Sequence, residues 1–172
     1  MSALGALLLL VGCGDRLVEL PIDRPAAISV PLDQGPLRCP ADTVTYPDDN
    51  ARSGAGSVPA DFEARTVLRC NTDYTTATRS GTVERFTISQ WSGPVTPGLR
   101  TSLDLPDRAR RPAVACASSN GGHTSVYLVD SRRRSVRVLL PWDDPCQVMR
   151  EEVAVLLPGQ GGPAPITFTA SR

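Results

Sequence analysis

A chain of 172 residues with 41% hydrophobic content is long enough for one domain with its own core and too short for two. Its 18 basic residues balance 18 acidic ones, which excludes the broad positive footprint of a nucleic-acid binder. Every basic side chain is Arg and Lys is absent, so Schiff-base and Ser-Lys chemistry are excluded as well.

Residues 3–11 are apolar apart from Gly5. That is the length of a signal-peptide core and less than half of the roughly 20 residues that span a bilayer. The run ends in Leu10, Val11, Gly12 and Cys13, a quartet that resembles the lipobox of bacterial lipoproteins. The resemblance implies cleavage just before Cys13 and acyl chains on its thiol. Small Gly12 suits a tight peptidase site, and only a thiol forms the thioether. On this reading residues 1–12 are a lipoprotein signal peptide, and the lipid holds the exported protein on the outer face of the cytoplasmic membrane. At about 0.8 kcal/mol per buried methylene, two or more acyl chains anchor a protein firmly. One feature departs from the pattern: no Arg precedes Asp15, where a signal peptide normally begins with basic residues.

Setting Cys13 aside leaves Cys39, Cys70, Cys116 and Cys146, an even set suited to disulfides in an oxidising compartment. No C-x-x-C spacing occurs, and a single His cannot complete the usual zinc sets, so no metal or other cofactor is expected. Three pairings are open. The sequential one, Cys39 with Cys70 and Cys116 with Cys146, closes loops of about thirty residues, each contributing roughly 3 to 4 kcal/mol in the chain-entropy picture.

Residues 13–36 mix Pro, Asp and Arg without sustained periodicity and read as a lipidated start followed by a tether, although residues 17–20 could add an edge strand. A polar, Gly-containing loop follows at residues 47–59, with Asp48, Asp49 and Asn50 lacking the Gly and terminal Glu of a calcium loop. Strand signals follow at residues 66–70 and 84–91, where Phe86 and Ile88 alternate with Thr87 and Ser89. Thr96 and Pro97 supply a cap and a first helical position, with Leu99 and Leu103 on one face, so a short helix is predicted up to Pro106. The run "TSVYLVD" reads as a central strand, and "SVRVLLP" returns from an Arg-rich turn as the second arm of a hairpin. In "WDDPCQVMREEVAVLLPG", Asp144 as N-cap, Pro145 first, Gln147 at the capping-box position and Pro158-Gly159 as stop predict a long helix. A final alternating segment at residues 166–171 would close the sheet as an edge strand. The prediction is a single α+β domain over residues 37–172, an antiparallel sheet of about five strands with two helices in the order ββαββαβ, stapled by two disulfides.

The lipobox, "CPADTVTYP", "VPADFEARTVLRC", a cysteine ahead of a hairpin and "PWDDPC" before a helix together resemble uncharacterised secreted lipoproteins of high-G+C Gram-positive bacteria. The likeness covers most of the mature chain and implies export, lipid anchoring and disulfide bonding, with no assigned chemistry. A looser resemblance is to bacterial subtilisin inhibitors, secreted α+β domains in which a disulfide ties the inhibitory loop to a cysteine beyond a hairpin. Cys116 and Cys146 flank "VYLVDSRRRSVRVLL" in that manner. This resemblance implies a reactive loop at Ala117, Ser118, Ser119 and Asn120. It departs in the first disulfide, since that family ties the start of its first helix to a nearby strand and Cys39 lies far upstream in a loop.

Any catalytic triad would have to use His123, which sits in "SSNGGHTS" with no G-x-S-x-G elbow, and it reads as a solvated loop residue. Asp143 and Asp144 are adjacent carboxylates explained by helix capping and the helix dipole. No catalytic constellation remains, so the chain is not expected to be an enzyme. Arg132, Arg133 and Arg134 at the hairpin tip, with Arg108, Arg110 and Arg111 as a second cluster, could present positive charge to anionic lipid or wall polymer. The functional expectation is a membrane-anchored extracytoplasmic domain that binds or scaffolds at the cell surface. Its partners would be the membrane, through the lipid, and an envelope ligand or protein; the alternative is a protease inhibitor.

Overall fold

A computed structural model describes residues 16–20, 23–40, 54–77, 84–111, 123–144, 148–159 and 165–171. The class is α+β. Its main sheet is wholly antiparallel and six-stranded, built from β2 (Ser29–Pro31), β3 (Ala64–Ala77), β4 (Glu84–Pro94), β6 (His123–Asp130), β7 (Arg134–Val138) and β10 (Ile166–Ser171) in the order β10-β4-β3-β6-β7-β2. A small second sheet, β1-β5-β8-β9, comprises β1 (Arg16–Glu19), β5 (Arg108–Arg111), β8 (Trp142–Asp144) and β9 (Val148–Met149), with β5 and β8 parallel. Two short helices complete the described elements, α1 (Pro97–Leu103) and α2 (Glu151–Ala154).

The long strand β3 sits near the middle of the main sheet because its residues serve both faces. Leu68 and Cys70 point to one side with Ile88, Tyr127 and Val129, while Val67 points to the other with Val126, Leu128, Val136 and Val138. On the second side the core is completed by Phe62, Leu140, Leu99 and Leu103 of α1, and Val153 and Leu157 in and beyond α2. Helix α1 forms as its sequence dictates. Pro97 occupies the first turn, the Thr96 hydroxyl accepts the Leu99 N–H at 3.1 Å, and Leu99 and Leu103 are buried.

The first face is covered differently, by a strap at residues 32–40. Leu32 and Leu37 pack on the apolar cluster, and Cys39 is bonded to Cys70 in the strand beneath, with 6.0 Å between the two Cα atoms. Gln90 of β4 lies buried under the strap and works as a surrogate strand edge. Its Oε1 accepts the Cys39 N–H at 2.6 Å and its Nε2 donates to the Leu37 carbonyl at 2.9 Å. An extended strap leaves its backbone polar groups without ladder partners, and this side chain supplies two of them.

All five predicted strands exist, and so does the α+β antiparallel class. Three expectations need correction. The main sheet has six strands rather than five, and the additional strand, β2, comes from the segment read as a tether; Ser29 pairs with Val136 and Val30 with Ser135. Folded structure thus reaches back beyond residue 37, and β1 pairs Leu17 with Arg110. The long helix is the third. Trp142–Asp144 instead pairs with Val148–Met149, Asp144 lies opposite Ala109 rather than capping a helix, and only Glu151–Ala154 is helical. The competing interaction is Arg150, whose N–H donates to the Pro141 carbonyl at 3.0 Å as the chain doubles back, in an extended conformation that a continuing helix forbids. Of the two expected disulfides, Cys39–Cys70 is present; Cys116 and Cys146 lie outside the described residues.

Replacing Gln90 with Leu keeps the volume but strands a buried N–H and a carbonyl of the strap. The expected cost is about 2 kcal/mol in urea unfolding of the oxidised protein, and an unshifted midpoint would show that the clamp contributes nothing.

Candidate functional site at the arginine-rich turn

The hairpin turn is organised by Asp130, the last residue of β6. One carboxylate oxygen accepts the backbone N–H groups of Arg132 and Arg134 at 2.9 and 2.8 Å, and the other accepts Nε of Arg134 at 2.7 Å. This local satisfaction lets Arg133 take a left-handed φ of 60° that a non-glycine residue otherwise avoids. Burial opposes ionisation of Asp130. The Arg134 N–H, its guanidinium and the Arg132 N–H outweigh that and hold the carboxyl below its ordinary range.

The three arginines therefore do different things. Arg134 is paired with Asp130 and lies over the Phe62 ring, 5.7 Å from its centroid. Arg133 reaches the strap, donating from Nη2 to the carbonyls of Asp33 and Gly35 at 2.7 and 2.8 Å, while its own carbonyl accepts the Leu32 N–H. A hollow of about 440 Å³ lies between this arginine and residues 31–40. Arg132 alone is exposed and without a side-chain partner among the described residues. Beside it is a hollow of about 280 Å³ that Asp61, Glu63 and Asp130 line together with Arg132 and Arg134. The triplet expected to face an anionic surface is thus two structural cations and one exposed one, next to carboxylates.

A second charged assembly escaped sequence reasoning. Arg24 donates to the carbonyls of Leu103 and Leu105, each at 3.2 Å, satisfying groups at and just past the end of α1, and to Asp107 at 2.5 Å. Asp107 in turn accepts the Trp142 N–H at 2.9 Å. Arg150 is 2% exposed and donates to the Pro106 carbonyl at 2.7 Å and to Glu152 at 2.9 Å, where Arg108 also bonds at 2.5 Å. Asp143 completes the group 3.9 Å from Arg108. The hydrogen bond from Arg150, with the Glu152 N–H and the Arg108 guanidinium, lowers the Glu152 pKa to about 2 against the opposing effect of burial. A carboxylate so held stays ionised at neutral pH and does no acid catalysis. Apart from Arg150 and Glu152, these partners lie tens of residues apart, and no local pattern announces them.

Cys13, Cys116, Cys146, Ala117, Ser118, Ser119, Asn120 and the Asp48 to Asn50 group lie outside the described residues. His123 is the first residue of β6, with its backbone opposite Thr72. Among the described residues, no group of three His, Cys, Asp or Glu side chains is placed to hold a metal, and no helix is long and apolar enough to cross a membrane. No known protein family matches the sequence, and neither a curated protein nor a solved structure shows significant similarity to it.

The Glu152 pairing has a defined pH window. Its pKa is about 2 when folded against 4.5 for the free group, so its stabilisation is complete above 4.5 and is lost as pH falls towards 2. Part of the side chain is in water, which screens the pairs, so the Glu152→Gln variant is expected to lose about 1 kcal/mol at pH 7. At pH 2 it should match the parent. Urea unfolding at both pH values checks this, and an equal deficit at both would assign the loss to packing.

Proposed function

We propose that this chain is an extracytoplasmic lipoprotein, held on the outer face of the cytoplasmic membrane by acyl chains on Cys13, whose α+β domain binds or scaffolds at the cell surface. The observation that carries the reading is the Cys39–Cys70 bond. Both sulfurs are buried, and the bond fastens the strap to a central strand, so the fold uses the bridge as structure. Such bridges persist in oxidising compartments and are rare where thiols are kept reduced. A structural disulfide after an apolar run ending in Leu-Val-Gly-Cys is what an exported, lipid-anchored domain requires.

The same reading assigns the remaining pair, Cys116 and Cys146, to a second bridge, which accounts for all five cysteines. The balanced charge supports an envelope ligand over a nucleic acid. Structural use of Arg133 and Arg134 moves any ligand contact away from the middle of the triplet.

Intact-mass analysis of protein made in a lipoprotein-processing bacterial host tests the proposal. The polypeptide is expected to begin at Cys13 with acyl mass added, and four thiols should become alkylatable only after reduction. Replacing Cys13 with Ala should shift the protein from the membrane to the soluble exported fraction. An unacylated chain that retains its first twelve residues, or cysteines that alkylate freely without reductant, would overturn it.

A further inference from the structure

Beyond the helices, the second face of the main sheet turns from apolar to polar at one row of residues. The strand registers place Arg69 of β3 between Trp91 of β4 and Val126 of β6. One row further, Asn71 lies between Ser89 and Thr124, and Thr167 of β10 continues the row beyond Ser89. Cross-strand neighbours share a face, so these side chains form a single surface. Arg69, Asn71, Ser89, Trp91 and Thr124 are all half-buried.

The Arg69 guanidinium is held in place by an aromatic ring and two hydrogen bonds. Its Cζ lies 5.2 Å from the centroid of the Trp91 ring, and the Gly159 backbone packs on that same ring. Its Nε donates to Asn71 Oδ1 and its Nη1 to the Pro158 carbonyl, each at 3.4 Å. Among the described residues no carboxylate pairs with it. Burial is the cause that lowers its pKa, with no opposing anion. Every other arginine described above as held in place is held by a carboxylate, by backbone carbonyls alone, or by both.

The donors left over converge in chemistry. Asn71 Oδ1 accepts both from Arg69 and from the Thr124 hydroxyl, the latter at 3.0 Å. This orientation turns the amide Nδ2, with two N–H groups, away from both. Arg69 Nη2 likewise has no acceptor among the described residues. A fixed guanidinium with spare N–H donors, beside an amide and the Ser89 hydroxyl, is matched by the planar or tetrahedral oxygens of an anion.

The geometry points to a binding site for one oxyanion group, a carboxylate or a phosphate carried by a ligand, formed by Arg69, Asn71 and the Ser89 hydroxyl, with Thr124 holding the Asn71 amide in place. The stack on Trp91 pre-orients the cation, so little side-chain freedom is lost when the anion arrives. The site is independent of the lipid anchor, and it stands or falls separately from the lipoprotein reading.

The experiment is a titration of the ¹⁵N-labelled full chain carrying Cys13→Ala with sodium phosphate and, separately, sodium acetate, at constant ionic strength set with chloride. Saturable shifts are expected at the Arg69 Nε and Asn71 Nδ2 resonances. Arg69→Gln should abolish the saturable shift at Asn71. Asn71→Ala should weaken binding about five- to tenfold, which keeps the test open if the arginine variant fails to fold. Saturation by acetate alone or by phosphate alone identifies the group. Absence of saturation with both anions across the millimolar range, or equal Asn71 shifts in Arg69→Gln, would overturn the assignment.

Discussion

The fastening of residues 32–40 across the main sheet is the constraint on which the remaining architecture depends. Without it, Leu68, Ile88, Tyr127 and Val129 would face water on a sheet whose opposite side already carries the helices. The strap has no regular secondary structure, and therefore no ladder of its own to satisfy its backbone. Three separate devices hold it: the Cys39–Cys70 bond, the two hydrogen bonds of Gln90, and the reach of Arg133 to the Asp33 and Gly35 carbonyls. One arises from β3, one from β4 and one from the turn between β6 and β7, so the strap is held from three separate places.

A chain without lysine uses arginine for tasks that a point charge performs poorly. Arg24, Arg133 and Arg150 each make more than one hydrogen bond, with backbone carbonyls among the acceptors. The planar fork can bridge two acceptors at once, and it does so where elements end and leave carbonyls unpaired. Arg24 joins the segment before β2 to the end of α1, and Arg150 joins the segment before β5 to the start of α2. The second sheet thereby becomes part of one body with the main one. Charge content that looks like solvated surface in composition is in large part internal scaffolding.

That distinction guides the functional argument. A cation with a carboxylate or a pair of carbonyls has its role inside the molecule, as Arg133 and Arg134 do. Arg69 is the contrasting case, clamped to an aromatic ring and supplied with acceptors on two nitrogens but with no anion among the described residues. Binding sites differ from scaffolding by the groups left waiting in fixed positions.

Local chemistry in the sequence was enough for α1, whose Thr96 cap, Pro97 and paired leucines act within a single turn. It was enough also for the five strands β3, β4, β6, β7 and β10, whose apolar runs and alternation follow from a two-residue period that each segment carries alone. Cysteine parity called for disulfides but left three pairings open, and the sequential one contains the Cys39–Cys70 bond that is present. Before residue 37 the sequence hinted at an edge strand at residues 17–20, where β1 lies, but Ser29–Pro31 has no pattern of its own and becomes a strand only when β7 offers a free edge. The predicted final helix failed for the same reason in reverse. Its caps and apolar stripe were locally sound, but burying Arg150 among Pro106, Pro141 and Glu152 required the chain to fold back, and that requirement exists only in three dimensions. The row from Trp91 through Arg69 belongs to the second kind of fact: strand register is a relation between distant residues, and no residue carries it alone.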